Sequence, residues 1–113
     1  LVEGNTVRVG GGGDGLAVIE QRRGNSNRYD GEWLARGFHF KDNLVVFEGN
    51  GGQLGVVSDR GTSTELRESG TWEGTTVRAR PQWWNNNNFE ANGRFSQEGF
   101  ERRTGWKIKR EDI

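Results

Sequence analysis

Phe89-Glu90-Ala91-Asn92-Gly93-Arg94-Phe95 alternates residue by residue. Phe89, Ala91, Gly93 and Phe95 fall on one face of an extended chain, and Glu90, Asn92 and Arg94 on the other, because successive side chains of a strand point to opposite sides. The same period of two, followed outward, predicts strands near 5–9, 15–21, 32–40, 43–48, 53–58, 63–67, 71–80, 88–95 and 103–110. A helical reading fails almost everywhere, since Gly, Asn or Asp interrupts each candidate before two turns accumulate.

Between these strands lie Gly10 to Gly13, Asn25 to Tyr29, Lys41-Asp42, Asn50-Gly51-Gly52, Asp59-Arg60-Gly61, Ser69-Gly70 and Ser96 to Gly99. Their residues suit tight turns, so the strands are expected to run as an antiparallel meander. With no amphipathic helix to cover it, one solvated sheet would leave its aromatic residues bare. The expectation is all-β: a small antiparallel β-barrel, or a compact β-sandwich, in one domain over 1–113. Leu34, Phe38, Phe40, Trp106 and Ile108 are placed inward, and Gly37, Gly55, Gly74 and Gly93 at bends of a strongly curved sheet. A sheet that does not close could be completed by a second copy, giving a homodimer.

Composition sets the scale. Of 113 residues, 30% are hydrophobic and 28% charged, with 19 Gly and 1 Pro, so aliphatic core material is scarce. Five Trp, six Phe and one Tyr supply large burial areas that charged, disordered chains lack. The 16 Lys and Arg balance 16 Asp and Glu, which removes the long-range attraction of a general nucleic-acid or anionic-membrane binder. Cysteine is absent, excluding a disulfide framework and thiolate chemistry. No membrane-length apolar run and no export signal stand in the sequence.

Gly31-Glu32-Trp33 is echoed at Gly70-Thr71-Trp72. The two pieces resemble the opening-strand motif of avidins and lipocalins, a likeness of three residues at a time that implies a small ligand-binding barrel.

The segment Pro81-Gln82-Trp83-Trp84-Asn85-Asn86-Asn87-Asn88 carries the main chemical signal. Adjacent Trp residues in an extended chain point to opposite faces, so one of Trp83 and Trp84 is expected in the core and the other free to stack on a sugar ring. Asn85, Asn86, Asn87 and Asn88 would then read hydroxyl groups, because an amide both donates and accepts. Arg78 and Arg80 share a strand face and could clamp a polar group. Trp33 is a further stacking candidate, beside His39 on the face opposite Leu34, Phe38 and Phe40. Glu32 or His39 could move a proton if the barrel interior were catalytic. Gly10 to Gly13 lacks the Lys-Ser/Thr ending of a phosphate loop, and one histidine without cysteine offers no zinc cluster. No metal and no cofactor are expected.

These residues point first to a non-catalytic, lectin-like protein that takes a saccharide or another compact polar molecule on a Trp/Asn-rich surface. The alternatives are a small β-barrel enzyme, an isomerase, cyclase or lyase with an aromatic-lined pocket, and a structural assembly module.

Overall fold

The computed structural model describes residues 1–21, 36–59 and 70–113. Eleven strands and two helices follow one another among them: β1 (Val2–Glu3), β2 (Thr6–Val9), β3 (Asp14–Gln21), β4 (Phe38–Lys41), β5 (Leu44–Phe47), β6 (Gln53–Asp59), β7 (Gly70–Glu73), β8 (Thr75–Ala79), α1 (Pro81–Trp84), β9 (Phe89–Glu90), β10 (Arg94–Phe95), α2 (Gln97–Thr104) and β11 (Ile108–Asp112). The expected strands at 63–67 and the first part of 32–40 lie outside the described residues.

The antiparallel barrel or sandwich is not what forms. The strands order as β1-β4-β7, β11-β8-β5-β2 and β3-β6, and every pair in these three sheets is parallel. The chain therefore winds. Each of the first two coils contributes one strand to each sheet in turn, the third adds β7 and β8 to the first two sheets, and β11 extends the four-stranded sheet once more, a stacked solenoid. Val2, Phe40 and Trp72 share one register position, and Thr6, Leu44, Thr76 and Lys109 share another. The barrel implied by the Gly-x-Trp resemblance falls with the antiparallel sheet; Trp72 stacks on Phe40, and Trp33 lies outside the described residues.

The corners explain the winding. Gly4, Asp42 and Gly74 occupy the same place in successive coils, between the first and second sheets, and all three have positive φ, 68°, 55° and 63°. The left-handed conformation costs glycine nothing and is tolerated by Asp. Here it turns the chain into the next sheet without reversing it. Each corner then donates to the corner above: Gly4 N–H to Lys41 O and Asp42 N–H to Glu73 O, while Leu44 and Thr76 N–H reach Asn5 O and Asn43 O. The chain does turn at the expected Lys41-Asp42 and Asn50 to Gly52, but as bends of a coil and not as reversals.

Asn92-Gly93 is the exception. Asn92 (φ 61°) and Gly93 (φ 139°) close a true hairpin in which Phe95 pairs with Phe89 and Arg94 with Glu90, antiparallel. The alternating stretch 89–95 is two short strands with a reversal between them, the Asn-Gly hairpin signal flanked by apolar residues.

Two further expectations change. Pro81, at the first helical position where its missing N–H is harmless, starts the single turn α1 after the extended Arg80 (φ −74°, ψ 154°). At 97–104, Ser96 accepts from Gly99 N–H as N-cap and Gly105 closes the helix with φ 78°, so α2 takes the place of the turn expected at Ser96 to Gly99 and of the first two residues of the expected strand 103–110, whose strand begins only at Ile108. No helix among the described residues is long and apolar enough to cross a membrane.

The interior is filled by side chains. Val45, Phe47, Leu54, Val77, Trp83, Phe89, Phe100 and Trp106 are buried in one cluster with Phe40, Trp72 and Ile108. Ring contacts link Phe38, Phe40, Trp72, Trp106, Phe100, Phe89 and Trp83 in sequence, with Trp83 stacked on Phe47. Aromatic area thus substitutes for the missing aliphatic residues.

Candidate functional site

The segment 81–88 forms the third tier of a column of loops. Gly10 to Gly13 follow β2 in the first coil, Glu48 to Gly52 follow β5 in the second, and α1 with the asparagine turn follows β8 in the third. Gln53 N–H bonds to Gly13 O, tying the first tier to the second.

Because 81–84 is helical, Trp83 and Trp84 do not diverge to opposite faces of a strand. Both are buried, with relative exposures of 0% and 5%. Trp83 lies on Phe47, centroids 4.3 Å apart, and its indole N–H donates to Gly51 O at 3.1 Å. Trp84 meets Trp83 edge-on and carries the Arg110 guanidinium 4.8 Å from its ring centre. A Trp platform facing solvent, the basis of the stacking expectation at these two positions, is absent.

The four asparagines divide. Asn88 is buried and its Nδ2 donates to Asn50 O (2.9 Å) and Trp83 O (3.2 Å), while its Oδ1 accepts from Arg94 at 2.6 Å. It is a structural lock. Asn85, Asn86 and Asn87 are exposed, and Asn87 takes positive φ, 53°, as asparagine tolerates. Asn86 Nδ2 donates to Asn50 O at 3.2 Å. Arg94 Nε donates to Asn87 O at 3.3 Å, holding the turn from the hairpin side.

Two residues complete this surface that the sequence reading did not select. Asn50 donates its side-chain amide to Gln82 Oε1 at 3.1 Å, so the second and third tiers are joined through side chains as well as backbone. The available signal was the amide-rich composition shared by Asn50 and 82–88, read at Asn50 only as turn chemistry. The structure thus brings together Asn50, Gln82, Asn85, Asn86 and Asn87, whose side chains are all neutral amides.

The other candidates lie elsewhere or are engaged. Arg78 directs Nε and Nη2 to one oxygen of Glu111, at 2.9 and 2.8 Å, so this guanidinium is neutralised across β8 and β11. Arg80 is exposed at the start of α1, and its carbonyl accepts from Trp83 and Trp84 N–H. His39 on β4 has Nε2 3.5 Å from Glu73 on β7, a half-exposed pair across neighbouring parallel strands. Trp33 and Glu32 lie outside the described residues. Among the described residues no three His, Cys, Asp or Glu side chains gather where they could hold a metal ion.

Compared with protein-family models, curated proteins and solved structures, the chain matches none.

Proposed function

We propose that this protein binds a saccharide without catalysis, through the amide surface formed by Asn50, Gln82, Asn85, Asn86 and Asn87, with Arg80 at its edge. One observation carries the reading. Three exposed asparagines stand on a turn held by buried Asn88 from beneath and by Arg94 from the hairpin side, next to Trp83, whose indole bonds to Gly51 in the tier below. An amide offers a donor and an acceptor side by side, the pattern that vicinal hydroxyls require. A turn already locked in place loses little further conformational freedom on binding. Recognition is by hydroxyl reading, with Trp83 and Trp84 supporting the surface from below.

The test is a glycan-array screen followed by calorimetric titration of each hit. The double change Asn85→Ala and Asn86→Ala removes two amides while retaining Asn88, and should weaken saccharide binding at least about tenfold, the equivalent of about 1.4 kcal/mol. Saturating saccharide should leave the tryptophan emission maximum unmoved, because both neighbouring indoles are already buried. A blue shift on binding would show a tryptophan meeting the sugar and overturn the amide mode. No binding across neutral and acidic glycans would overturn the function itself.

A further inference from the structure

Two guanidinium groups flank the amide turn with no carboxylate against either. Elsewhere among the described residues Arg8 is paired with Glu48 at 3.3 Å, Arg78 with Glu111 at 2.8 Å and Arg110 with Asp112 at 2.8 Å. Arg94 stands opposite Glu90 in the hairpin register, yet its guanidinium turns to the asparagines. Nε donates to Asn87 O at 3.3 Å, and Nη2 to Asn88 Oδ1 at 2.6 Å and Asn86 O at 3.5 Å. All three acceptors are neutral, so the charge is left uncompensated. Nη1 has no acceptor among the described residues, and Arg94 is exposed.

Arg80 stands at the other end of the segment. It is exposed, and among the described residues it makes no ion pair. The side chains between the two cations, Gln82, Asn85, Asn86 and Asn87, are neutral amides. The carboxylate of the second tier, Glu48, is committed to Arg8. The chain as a whole is neutral, with 16 basic and 16 acidic side chains. At this surface the local field is nevertheless positive, because two cations face no anion.

We propose that the saccharide bound here is an acidic one, and that Arg94 is the residue that selects it. The proposal rests on the saccharide reading above and narrows its ligands to sugars that carry an oxyanion, a carboxylate or a sulfate. Asn86 and Asn87 read hydroxyls, while Arg94 Nη1 donates to the oxyanion beside them. With Nε and Nη2 already engaged by the turn, the guanidinium is oriented before a ligand arrives and loses little rotamer freedom on binding. A hydrogen bond between ionised partners is roughly twice as strong as a neutral one. The oxyanion therefore decides between sugars whose hydroxyls are alike. Arg80 adds a second positive charge without a fixed geometry.

Calorimetric titration tests this with a uronic-acid oligosaccharide and the same oligosaccharide methyl-esterified, which keeps every hydroxyl and removes the charge. The acid should bind at least about tenfold tighter, and added salt should lower that ratio, because exposed charges are screened. A sulfated oligosaccharide measured against its desulfated form is the second arm, and the larger ratio names the oxyanion. Arg94→Gln should bring the ratio close to one. If Arg94 only held the turn, this variant would weaken charged and neutral forms alike and leave the ratio standing, which would overturn its selecting role. Arg80→Gln should lower the ratio by a smaller factor. Lys41→Gln takes the same charge from β4 in the first sheet and should leave the ratio unchanged, which separates position from net charge. Should Arg94→Gln not fold, the charged-to-neutral comparison on the unaltered protein and on Arg80→Gln decides. Equal affinity for charged and neutral forms in both arms would overturn the acidic preference and leave the amide reading standing; no binding of any form would overturn both.

Discussion

Replacing Trp83 with alanine should lower the thermal midpoint by about 15 °C or more, the largest effect expected from any single change at the amide surface. Large-to-small substitution of a buried aromatic costs about 3–5 kcal/mol, and one kcal/mol moves the midpoint of a domain this size by roughly 4–6 °C. Three losses coincide at Trp83: the stack on Phe47, the edge contacts with Trp84 and Phe89, and the indole bond that fixes Gly51 in the tier below. Trp83→Phe separates them, because it retains most of the ring area but leaves Gly51 O without its donor. It should cost only about 1–2 kcal/mol. A melting curve for Trp83→Ala that overlays the unaltered protein would show that the ring does not belong to the core.

Asn43→Ala should be nearly as damaging, although it removes no apolar area. Asn43 is 1% exposed, and its Oδ1 accepts from Asn5 N–H at 3.0 Å and Asn5 Nδ2 at 3.1 Å. Its Nδ2 donates to Val2 O at 3.0 Å. One side chain therefore fastens the first coil to the second at the corner where both turn. Alanine leaves a backbone donor and a backbone acceptor unpaired, at about 1–3 kcal/mol each when water cannot reach them. Chemical denaturation would measure the loss, and amide exchange would locate it in residues 2–9. Asn43→Asp retains the acceptor and removes the donor, so it should fall between the two. If Asn43→Ala left residues 2–9 as protected as before, the corner bonds would not be what holds the first coil.

The strand positions were legible where alternation and turn residues agree. The expected 5–9, 15–21, 43–48 and 53–58 correspond to β2, β3, β5 and β6, and Phe40, Trp106 and Ile108 are buried as expected. The direction of pairing was not legible, since alternation reports which face a residue takes and nothing about which strand lies beside it. The repeat that would have revealed stacking is obscured by unequal coils. Asn5 and Asn43 are 38 residues apart, whereas Trp72 follows its stacked partner Phe40 by 32. The visible Gly-x-Trp echo has the spacing of neither step at Trp72. What repeats is a corner, Glu3-Gly4-Asn5, Lys41-Asp42-Asn43 and Glu73-Gly74-Thr75, where backbone angle is preserved while residue identity drifts.

At the amide surface, the polar composition was legible and the geometry was not. Four consecutive asparagines mark a polar turn, but Pro81 starts a helical turn that carries Trp83 and Trp84 inward together. The period of two had assigned them to opposite sides. Asn88 could not be told from its three neighbours by sequence, because what distinguishes it is burial beneath Asn50.

Stacked coils also set the pace at which this chain can assemble. Every ladder bond of the three parallel sheets joins strands from different coils, so the chain must close a long loop before any of these sheets gains a partner, and loop closure costs entropy before contacts repay it. The local structures, the hairpin 89–95 and the helix 97–104, are both at the end that covers the stack. Refolding should accordingly be slow for so short a chain, milliseconds to seconds, with the cap ordered first and the coils added to it one at a time, as a zipper closes from its stop.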